Sequence, residues 1–276
     1  MPTRNRGVRV AALQMCSTAD VEENLAKVDA LLERAAGRKV TLAVLPENLA
    51  IMGVADEDKL EHAEVPGAGP IQDFLSAAAR RHGIWLVAGS IPLATDDLKR
   101  VYGASLLIDA DGNTKATYRK MHLFDVDIGR RGERYRESAT MAPGDEPVTA
   151  DTPAGRLGLT ICYDLRFPEL YRRLVDDGAT IFSVPSAFTR VTGRAHWHSL
   201  LRARAIENLS YVIAAAQYGR HASGRETYGH SLIVDPWGRV LAEEPRGDAV
   251  VNAVVDVSLV EKLRRDFPTL SHRRLG

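Results

Sequence analysis

Cysteine is scarce in this sequence, since only Cys16 and Cys162 occur among 276 residues. The spacing of four cysteine or histidine ligands that marks a structural zinc site is absent, and at most one disulfide could form. Composition alone favours two small buried hydrophobic side chains, the commonest fate of a free cysteine. A catalytic role for either cysteine therefore needs further signals.

Net charge is lacking as well, because 36 basic and 36 acidic residues cancel. This balance provides no general attraction to nucleic acid or to an anionic membrane. No stretch approaches the roughly 18 apolar residues of a membrane span, and the apolar run that starts at Val8 is too short and too broken for a signal-peptide core. These absences predict a cytoplasmic protein with neither nucleic acid nor membrane as a partner.

Apolar runs alternate with amphipathic stretches of helical length, which predicts an α/β fold with added hairpins. Several runs are continuous, as expected of strands that are covered on both faces. No boundary divides the chain, so we predict a single domain over 1–276, with a C-terminal helix and tail over 258–276. The predicted strands are Val8–Met15, Thr41–Leu45, Ile84–Ser90, Ala104–Asp109, Leu157–Cys162, Thr180–Val184, Tyr211–Ala216, Ser231–Val234 and Ala249–Val257, and the predicted helices are Val21–Ala36, Ile71–His82, Pro168–Asp176 and Ala195–Asn208.

The segment around Cys162 carries the strongest chemical signal. A predicted strand ends at Cys162, and Pro168 suits the first turn of a helix that starts a few residues later. Side chains at such a junction lie at the C-terminal edge of the sheet, where α/β folds bind ligands. Backbone N–H groups near a helix start can stabilise a thiolate or an oxyanion. We expect Asp164 to cap this helix rather than to act as a catalyst.

A catalytic thiol also needs a base and an oxyanion stabiliser. Two isolated polar residues could supply them: Glu47 directly follows a predicted strand, and Lys120 follows a strand-like stretch over 113–117. Taken singly, each residue is more typical of a solvated loop charge. Their chemical role therefore depends on whether the fold brings them to Cys162.

Together, these three segments resemble the nitrilase superfamily of carbon–nitrogen hydrolases. The resemblance extends from about Val8 to Arg274, and it aligns Glu47, Lys120 and Cys162 with the family's Glu–Lys–Cys residues. Motifs at 122–127, 185–188, 192–193 and 196–197 resemble the Nit branch of that superfamily. The resemblance implies a four-layer α-β-β-α sandwich that pairs into a homodimer or a higher homo-oligomer. It also implies an enzyme that needs neither a metal nor an organic cofactor.

The resemblance further assigns roles to individual residues. It implies that Glu47 is the general base and Cys162 the nucleophile, and that Lys120 and the backbone N–H of Tyr163 hold the oxyanion. A second family glutamate supports the lysine. Glu137 fits that position best, and Glu133 is the alternative because the Gly129–Gly132 stretch makes the alignment uncertain.

Arg166 is our candidate for the substrate carboxylate, because its planar fork matches two oxygens. A structural salt bridge is the alternative interpretation of Arg166. Further substrate contacts are expected from one loop, at Ser186, Phe188 and Thr192. The histidines that we assign to packing and hydrogen bonds are His122, His196 and His230.

The resemblance implies hydrolysis of a small linear amide through a thioester intermediate. The segments Ala214–His221 and Tyr228–Gly238 resemble those of Nit-branch enzymes that act on deaminated glutathione (2-oxoglutaryl-Cys-Gly), and this resemblance implies 2-oxoglutarate and Cys-Gly as products. The alternative substrates are 2-oxoglutaramate and 2-oxosuccinamate, N-carbamoyl amino acids, and nitriles. A different class of protein, a binding module with an unused triad, is disfavoured because all three residues are present.

Overall fold

The computed structural model describes residues 7–128 and 133–275. The strands are β1 Val8–Gln14, β2 Leu42–Val44, β3 Trp85–Val87, β4 Ile91–Ala94, β5 Val101–Ile108, β6 Thr114–Arg119, β7 Asp125–Ile128, β8 Glu133–Arg136, β9 Val148–Thr152, β10 Gly155–Leu159, β11 Ile181–Ser183, β12 Tyr211–Ala214, β13 Tyr218–Arg220, β14 Glu226–Tyr228, β15 Ser231–Val234, β16 Val240–Glu244 and β17 Ala249–Val255. The helices are α1 Val21–Gly37, α2 Asp58–Glu61, α3 Pro70–His82, α4 Pro168–Asp176, α5 Arg190–Asn208 and α6 Val257–Asp266.

Two main sheets form the centre of the fold. The first has the order β17-β1-β2-β3-β5-β4, with β6 beside β5, and the second has the order β16-β15-β12-β11-β10-β9. Strands β1, β2 and β3 are parallel, and so are β10, β11 and β12. The carboxyl ends of neighbouring parallel strands meet at one edge of a sheet, which is where α/β folds place their ligands.

The side chains of β1 show how the layers are arranged. Val10 and Ala12 belong to one apolar core, together with residues of the second sheet, whereas Ala11 and Leu13 belong to another core, together with α1 and α3. This division follows the two-residue period of a strand, because successive side chains point to opposite faces. Helices α4 and α5 cover the outer face of the second sheet. The layers are therefore helix, sheet, sheet and helix, which confirms the predicted sandwich.

Most long predicted elements occur near their expected bounds, with one helix clearly different. Helix α5 begins at Arg190 rather than at Ala195, because the Thr189 side chain caps it by accepting a hydrogen bond from the Thr192 N–H. The elements without a prediction are short: β4, β7, β8, β9, β13, β14, β16 and α2. Many of their side chains are exposed, so they lack the apolar periodicity that identifies longer elements.

The single domain over 1–276 stays a prediction, and its residues 1–6, 129–132 and 276 lie outside the described part. Helix α6 is followed by a short turn of 3₁₀ helix at Thr269–His272. Within the described ranges, no helix combines the length and the apolarity that crossing a membrane would require.

Candidate active site

Cys162 lies on a sharp bend between a strand and a helix. Strand β10 ends at Leu159, and Cys162 is the first residue of a 3₁₀ turn over Cys162–Arg166. Helix α4 begins at Pro168, directly after Phe167. Its φ of +47° is in the left-handed region, which a non-glycine residue adopts only where its surroundings hold it there. One such restraint is the hydrogen bond of 2.8 Å from the Cys162 N–H to the Pro185 carbonyl. The bend ends the predicted strand early and presents the thiol at the sheet edge.

Glu47 reaches the same edge from the first sheet. It follows β2, and its segment lies close to the segment after β3. A side chain at Gly89 would collide with the Pro46 carbonyl. The Glu47 Oε2 accepts a hydrogen bond of 2.9 Å from the Ala187 N–H. Its own carbonyl accepts one of 3.0 Å from the Gln217 side chain. Loops of the second sheet therefore hold both the carboxylate and the backbone of Glu47 in one orientation.

Lys120 is almost fully buried, with 2% of its surface exposed. Its Nζ donates to Glu47 Oε1 at 2.8 Å and to the two oxygens of Glu137 at 2.7 and 2.8 Å. Burial alone would lower the pKa of Lys120, but the charges of Glu137 and Glu47 outweigh it and raise that pKa above its ordinary value. The ammonium therefore stays charged between two carboxylates.

The two glutamates proposed for the supporting position have different partners. Glu137 accepts the Lys120 bonds and also a bond of 2.6 Å from the Phe124 N–H. Glu133 instead accepts a bond of 3.1 Å from the Tyr135 hydroxyl. Glu137, the first choice from the sequence, is thus the residue at the lysine. The Gly129–Gly132 stretch that separates them from the lysine motif lies outside the described residues.

The charges of this cluster set the protonation state of the thiol. Burial, followed by the nearby Glu47 carboxylate, raises the pKa of Cys162 well above its ordinary value, and Lys120 offsets this only in part. Burial also acts to raise the pKa of Glu47, but the charge and hydrogen bond of Lys120 outweigh it and lower that pKa. At neutral pH the resting site therefore holds a neutral thiol beside an ionised carboxylate. A base next to a thiol in this state can remove its proton when a substrate arrives.

A cavity of about 560 Å³, its open mouth included, adjoins Cys162, Glu47 and Lys120. Of the residues predicted to contact substrate, Tyr163, Arg166, Phe188 and Thr192 line it. The prediction for Ser186 is wrong in its geometry. This residue is fully buried outside the lining, and its hydroxyl donates to the Val184 carbonyl at 3.3 Å.

Arg166 has no structural salt bridge to a carboxylate of residues 7–128 or 133–275, so the alternative interpretation is not supported. Its NH1 lies 3.2 Å from Nδ1 of His196. Its guanidinium carbon lies 5.2 Å from the ring centre of Phe188 and 5.8 Å from that of Tyr163. An arginine placed over aromatic rings in a cavity can bind a carboxylate of the substrate.

The remaining histidines also make packing and hydrogen-bond contacts. The His122 ring stacks on Phe167 with 3.7 Å between ring centres. His230 and His198 hydrogen-bond one oxygen of Glu243 at 2.6 and 2.8 Å. These last three could offer ligand atoms to a metal ion, since the atoms lie within 4.8 Å of one another, but they do not line the Cys162 cavity.

Asp164 caps the 3₁₀ turn Cys162–Arg166, where it accepts from the Ile161 N–H, rather than α4, the helix that the sequence predicts it to cap. Residue Phe167 takes the N-cap position of α4 and makes no side-chain capping bond. Asp164 is fully buried and accepts bonds from the Tyr118 hydroxyl at 2.7 Å, the Ile161 N–H at 2.8 Å and the His122 ring at 2.7 Å. It therefore connects the loop that carries Lys120 to the strand end that carries Cys162.

Sequence reasoning also missed Gln217 and Arg225. Gln217 supports the Glu47 segment from the second sheet, and Arg225 lines the cavity from the turn between β13 and β14. Gln217 lies in the segment Ala214–His221, where the family resemblance gives it no individual role, and Arg225 stands next to no motif with a chemical signature. Only the pairing of distant segments brings them to the site.

Almost the whole chain matches one known sequence family. The profile of the family described as carbon-nitrogen hydrolase matches residues 9–265. The chain belongs to that family. This carbon–nitrogen hydrolase is 42% identical to a Yersinia enterocolitica protein named deaminated glutathione amidase, over 98% of this chain and 94% of that protein. These matches confirm the family resemblance and the enzyme class that the sequence indicates.

Solved structures of other members have the same fold as this carbon–nitrogen hydrolase. The Caenorhabditis elegans NitFhit protein superimposes with a TM-score of 0.91 at 42% identity, over 98% of this chain and 65% of that chain. Saccharomyces cerevisiae Nit3, a member of branch 10 of the nitrilase superfamily, gives a TM-score of 0.87 at 33% identity, over 98% and 97% of the two chains. Both likenesses agree with the four-layer fold described above.

Proposed function

We propose that this carbon–nitrogen hydrolase cleaves deaminated glutathione into 2-oxoglutarate and Cys-Gly through a thioester on Cys162. The observation that carries the proposal is the buried cluster in which Lys120 bridges Glu47 and Glu137 beside the thiol. This cluster combines a base, a nucleophile and a fixed cation in one cavity. The choice of substrate rests on relatives named deaminated glutathione amidase at 42% identity over nearly the whole chain.

Acylation begins with transfer of the thiol proton of Cys162 to the Glu47 carboxylate. The sulfur attacks the amide carbonyl, and the Lys120 ammonium with the Tyr163 N–H stabilises the resulting oxyanion. The tetrahedral intermediate then collapses, and the carbon–nitrogen bond breaks. Glu47 delivers its proton to the departing nitrogen, which leaves as the free amine of Cys-Gly. The 2-oxoglutaryl group remains on the sulfur as a thioester.

Deacylation repeats these steps with water as the nucleophile. Glu47 takes a proton from water, and the hydroxide attacks the thioester carbonyl. The same two donors hold the second oxyanion. The carbon–sulfur bond breaks, the sulfur regains the proton from Glu47, and 2-oxoglutarate leaves. Lys120 keeps its charge throughout, because the neighbouring glutamates raise its pKa above the ordinary value.

The 2-oxo acid end of the substrate is assigned to the side of the cavity formed by Arg166, Phe188 and Thr192. The Arg166 guanidinium has no protein carboxylate as a partner in the described ranges, so it can donate two parallel hydrogen bonds to the substrate carboxylate. Phe188 offers an apolar wall, with 5.2 Å between its ring centre and the Arg166 guanidinium carbon, and Thr192 lines the same cavity. Replacement of Arg166 should therefore weaken the binding of every substrate that carries a 2-oxo acid.

A cytoplasmic homodimer is a further part of the proposal. Trp237 and Phe267 are 56% and 49% exposed, and their rings contact each other with 5.8 Å between centres. Exposed apolar groups of this size are typical of surfaces that a second copy covers. Sedimentation analysis should give twice the chain mass of 30.2 kDa, and Trp237→Glu should reduce the mass to that of one chain. A wild-type monomer at micromolar concentration would refute this part.

The test of the main proposal is a comparison of two substrates. We expect kcat/KM for deaminated glutathione to exceed that for 2-oxoglutaramate by tenfold or more, which is about 1.4 kcal/mol in transition-state binding. Cys162→Ala should abolish both activities, and a 2-oxoglutaryl adduct on Cys162 should be visible by mass spectrometry during turnover. A tenfold preference for 2-oxoglutaramate would make the chain an ω-amidase. If only a carbamoyl compound or a nitrile were turned over, the proposed catalytic residues would stand and the proposed substrate would be rejected.

A further inference from the structure

Arg225 is a cation at the active site for which the mechanism above has no use. It lies in the turn between β13 and β14, and one of its terminal nitrogens donates to the Ala187 carbonyl at 2.5 Å. Its guanidinium carbon lies 5.2 Å from the ring centre of Tyr135. Within the described ranges, its buried Nε has no hydrogen-bond partner. Neutral groups thus hold the guanidinium in place and leave part of its donor capacity free.

Arg225 lies at the boundary of two neighbouring spaces. It lines the cavity of Cys162, and it also lines a larger groove of about 1830 Å³, open space included. Asp56, Tyr135 and Thr189 line both spaces as well. A leaving group that extends from the scissile amide toward the groove can therefore contact Arg225.

Charge pairing distinguishes Arg225 from two other arginines of the groove, Arg134 and Arg190. In the groove, Arg134 pairs with Asp127 at 3.0 Å, and Arg190 pairs with Glu226 at 2.9 Å. Arg225 has no carboxylate within ion-pair distance in the described ranges. Unpaired cations in a partly buried site cost free energy unless an anion binds there. In the described ranges, the cavity therefore contains two guanidinium groups without a carboxylate partner, those of Arg166 and Arg225.

Deaminated glutathione carries two carboxylates, one at each end. One belongs to the 2-oxo acid, and the other belongs to the glycine of the leaving Cys-Gly. An extended chain spans roughly 3.5 Å per residue, so the glycine carboxylate lies about 7 Å from the scissile nitrogen. By contrast, 2-oxoglutaramate has only the carboxylate of its 2-oxo acid and releases ammonia.

We propose that Arg225 binds the carboxylate of the leaving group and thereby selects amides whose amine fragment is a small peptide with a free C-terminal carboxylate. This assignment rests on the proposed function, because it needs a substrate with a charged leaving group. Because Arg225 has no carboxylate partner in the described ranges, the terminal N–H groups of its guanidinium can donate to the two oxygens of a carboxylate, while its Nε is buried. Asp56 and Glu133 line the same groove, so the carboxylate is favoured on the Arg225 side and repelled from theirs.

The test combines two variants with three substrates. The variants are Arg225→Gln and, as the matched control, Arg190→Gln, which removes an arginine of the same groove that is already paired. The substrates are deaminated glutathione, the same compound with its glycine carboxylate converted to a carboxamide, and 2-oxoglutaramate. We expect Arg225→Gln to raise KM for deaminated glutathione about 10- to 100-fold, the range for loss of a charge-assisted hydrogen bond. Its effect on the other two substrates should be less than about threefold.

Several outcomes would overturn the assignment. An equal loss on all three substrates, carried by kcat, would mean that Arg225 positions Ala187 and Glu47 instead. No loss with Arg225→Gln, together with a selective loss in Lys59→Gln, would move the subsite to that other cavity cation. A wild-type enzyme that is inactive on deaminated glutathione would refute the proposed function itself, and the assignment with it. Arg225→Lys, which retains charge without the fork, should recover part of the affinity and guards against a folding defect.

Discussion

Replacement of Lys120 by methionine isolates the charge of the buried cluster, because the two side chains have similar apolar length. In the wild-type protein, the Nζ of Lys120 bonds to both Glu47 and Glu137 at 2.7–2.8 Å. The variant leaves two carboxylates facing each other with little solvent, since Glu47 is 4% exposed and the Glu137 side chain 13%. We therefore expect a large loss of stability in addition to a loss of activity.

Removal of one partner of a buried ion pair costs about 3–5 kcal/mol. For a chain of this length, about 2 °C of Tm is lost per kcal/mol, which gives a decrease of about 6–10 °C. The decrease should depend on pH. Without the lysine charge, burial controls the pKa of Glu47 and raises it. In the variant, protonated Glu47 stabilises the folded state fully below the unfolded pKa of about 4.3, and this stabilisation is lost as the pH rises through the raised folded pKa. The decrease in Tm should therefore be larger at pH 8 than at pH 5.

Thermal unfolding followed by circular dichroism at these two pH values measures the effect. The double variant Lys120→Met with Glu137→Gln removes one of the facing carboxylates, and it should recover at least about 2 °C of the lost Tm. Its kcat should stay about 10²–10³-fold below that of the wild type, because an oxyanion donor is still missing. A deficit that is equal at pH 5 and pH 8, or a double variant without recovery, would refute the electrostatic reasoning. Recovery of kcat in the double variant would exclude Lys120 as an oxyanion donor.

Three further predictions concern single features of the site. Cys162→Ala should abolish turnover with little change in Tm, whereas Cys16→Ser, at a residue that does not line the cavity, should keep nearly full activity in the same Cys-Gly release assay. The kcat/KM profile should be flat around neutral pH and should fall only below about pH 4.5, because Glu47 must be ionised and its pKa is lowered; an acidic inflection near pH 6.5 would contradict this. Asp164→Ala should strand several buried donors and cost at least about 3 kcal/mol in urea unfolding, and a loss below 1 kcal/mol would count against its role as a connection.

Much of the fold was predictable because its signals are local. Continuous apolar runs identified the central strands, and the capping and periodicity of α1 and α3 are contained within each segment. The position of Cys162 after a strand and before Pro168 likewise follows from adjacent residues. The start of α5 was harder to predict, because its cap at Thr189 follows a loop without a helical pattern.

The interior of the site was only partly predictable, because its contacts join distant segments. Lys120 and Glu47 are 73 positions apart, and the Ala187 N–H that orients Glu47 is 140 positions away. Side chains such as Ser186 and Phe188 are two residues apart, yet one is enclosed and the other lines the cavity. The loop motif alone does not reveal which side chain faces the substrate.

Arg225 illustrates the physical limit most directly. Its turn carries no catalytic motif, and an arginine beside glycine and glutamate in a hairpin resembles an ordinary solvated charge. Its position follows from the pairing of β13 with β14 and from the bridge between Thr189 and Thr227, which place the hairpin over the Ala187 loop. Glu47, Lys120 and Cys162 could thus be located from short motifs, whereas the residues proposed to choose among amides depend on how loops from the two sheets meet. Specificity is therefore better sought in such loop contacts than in these three residues.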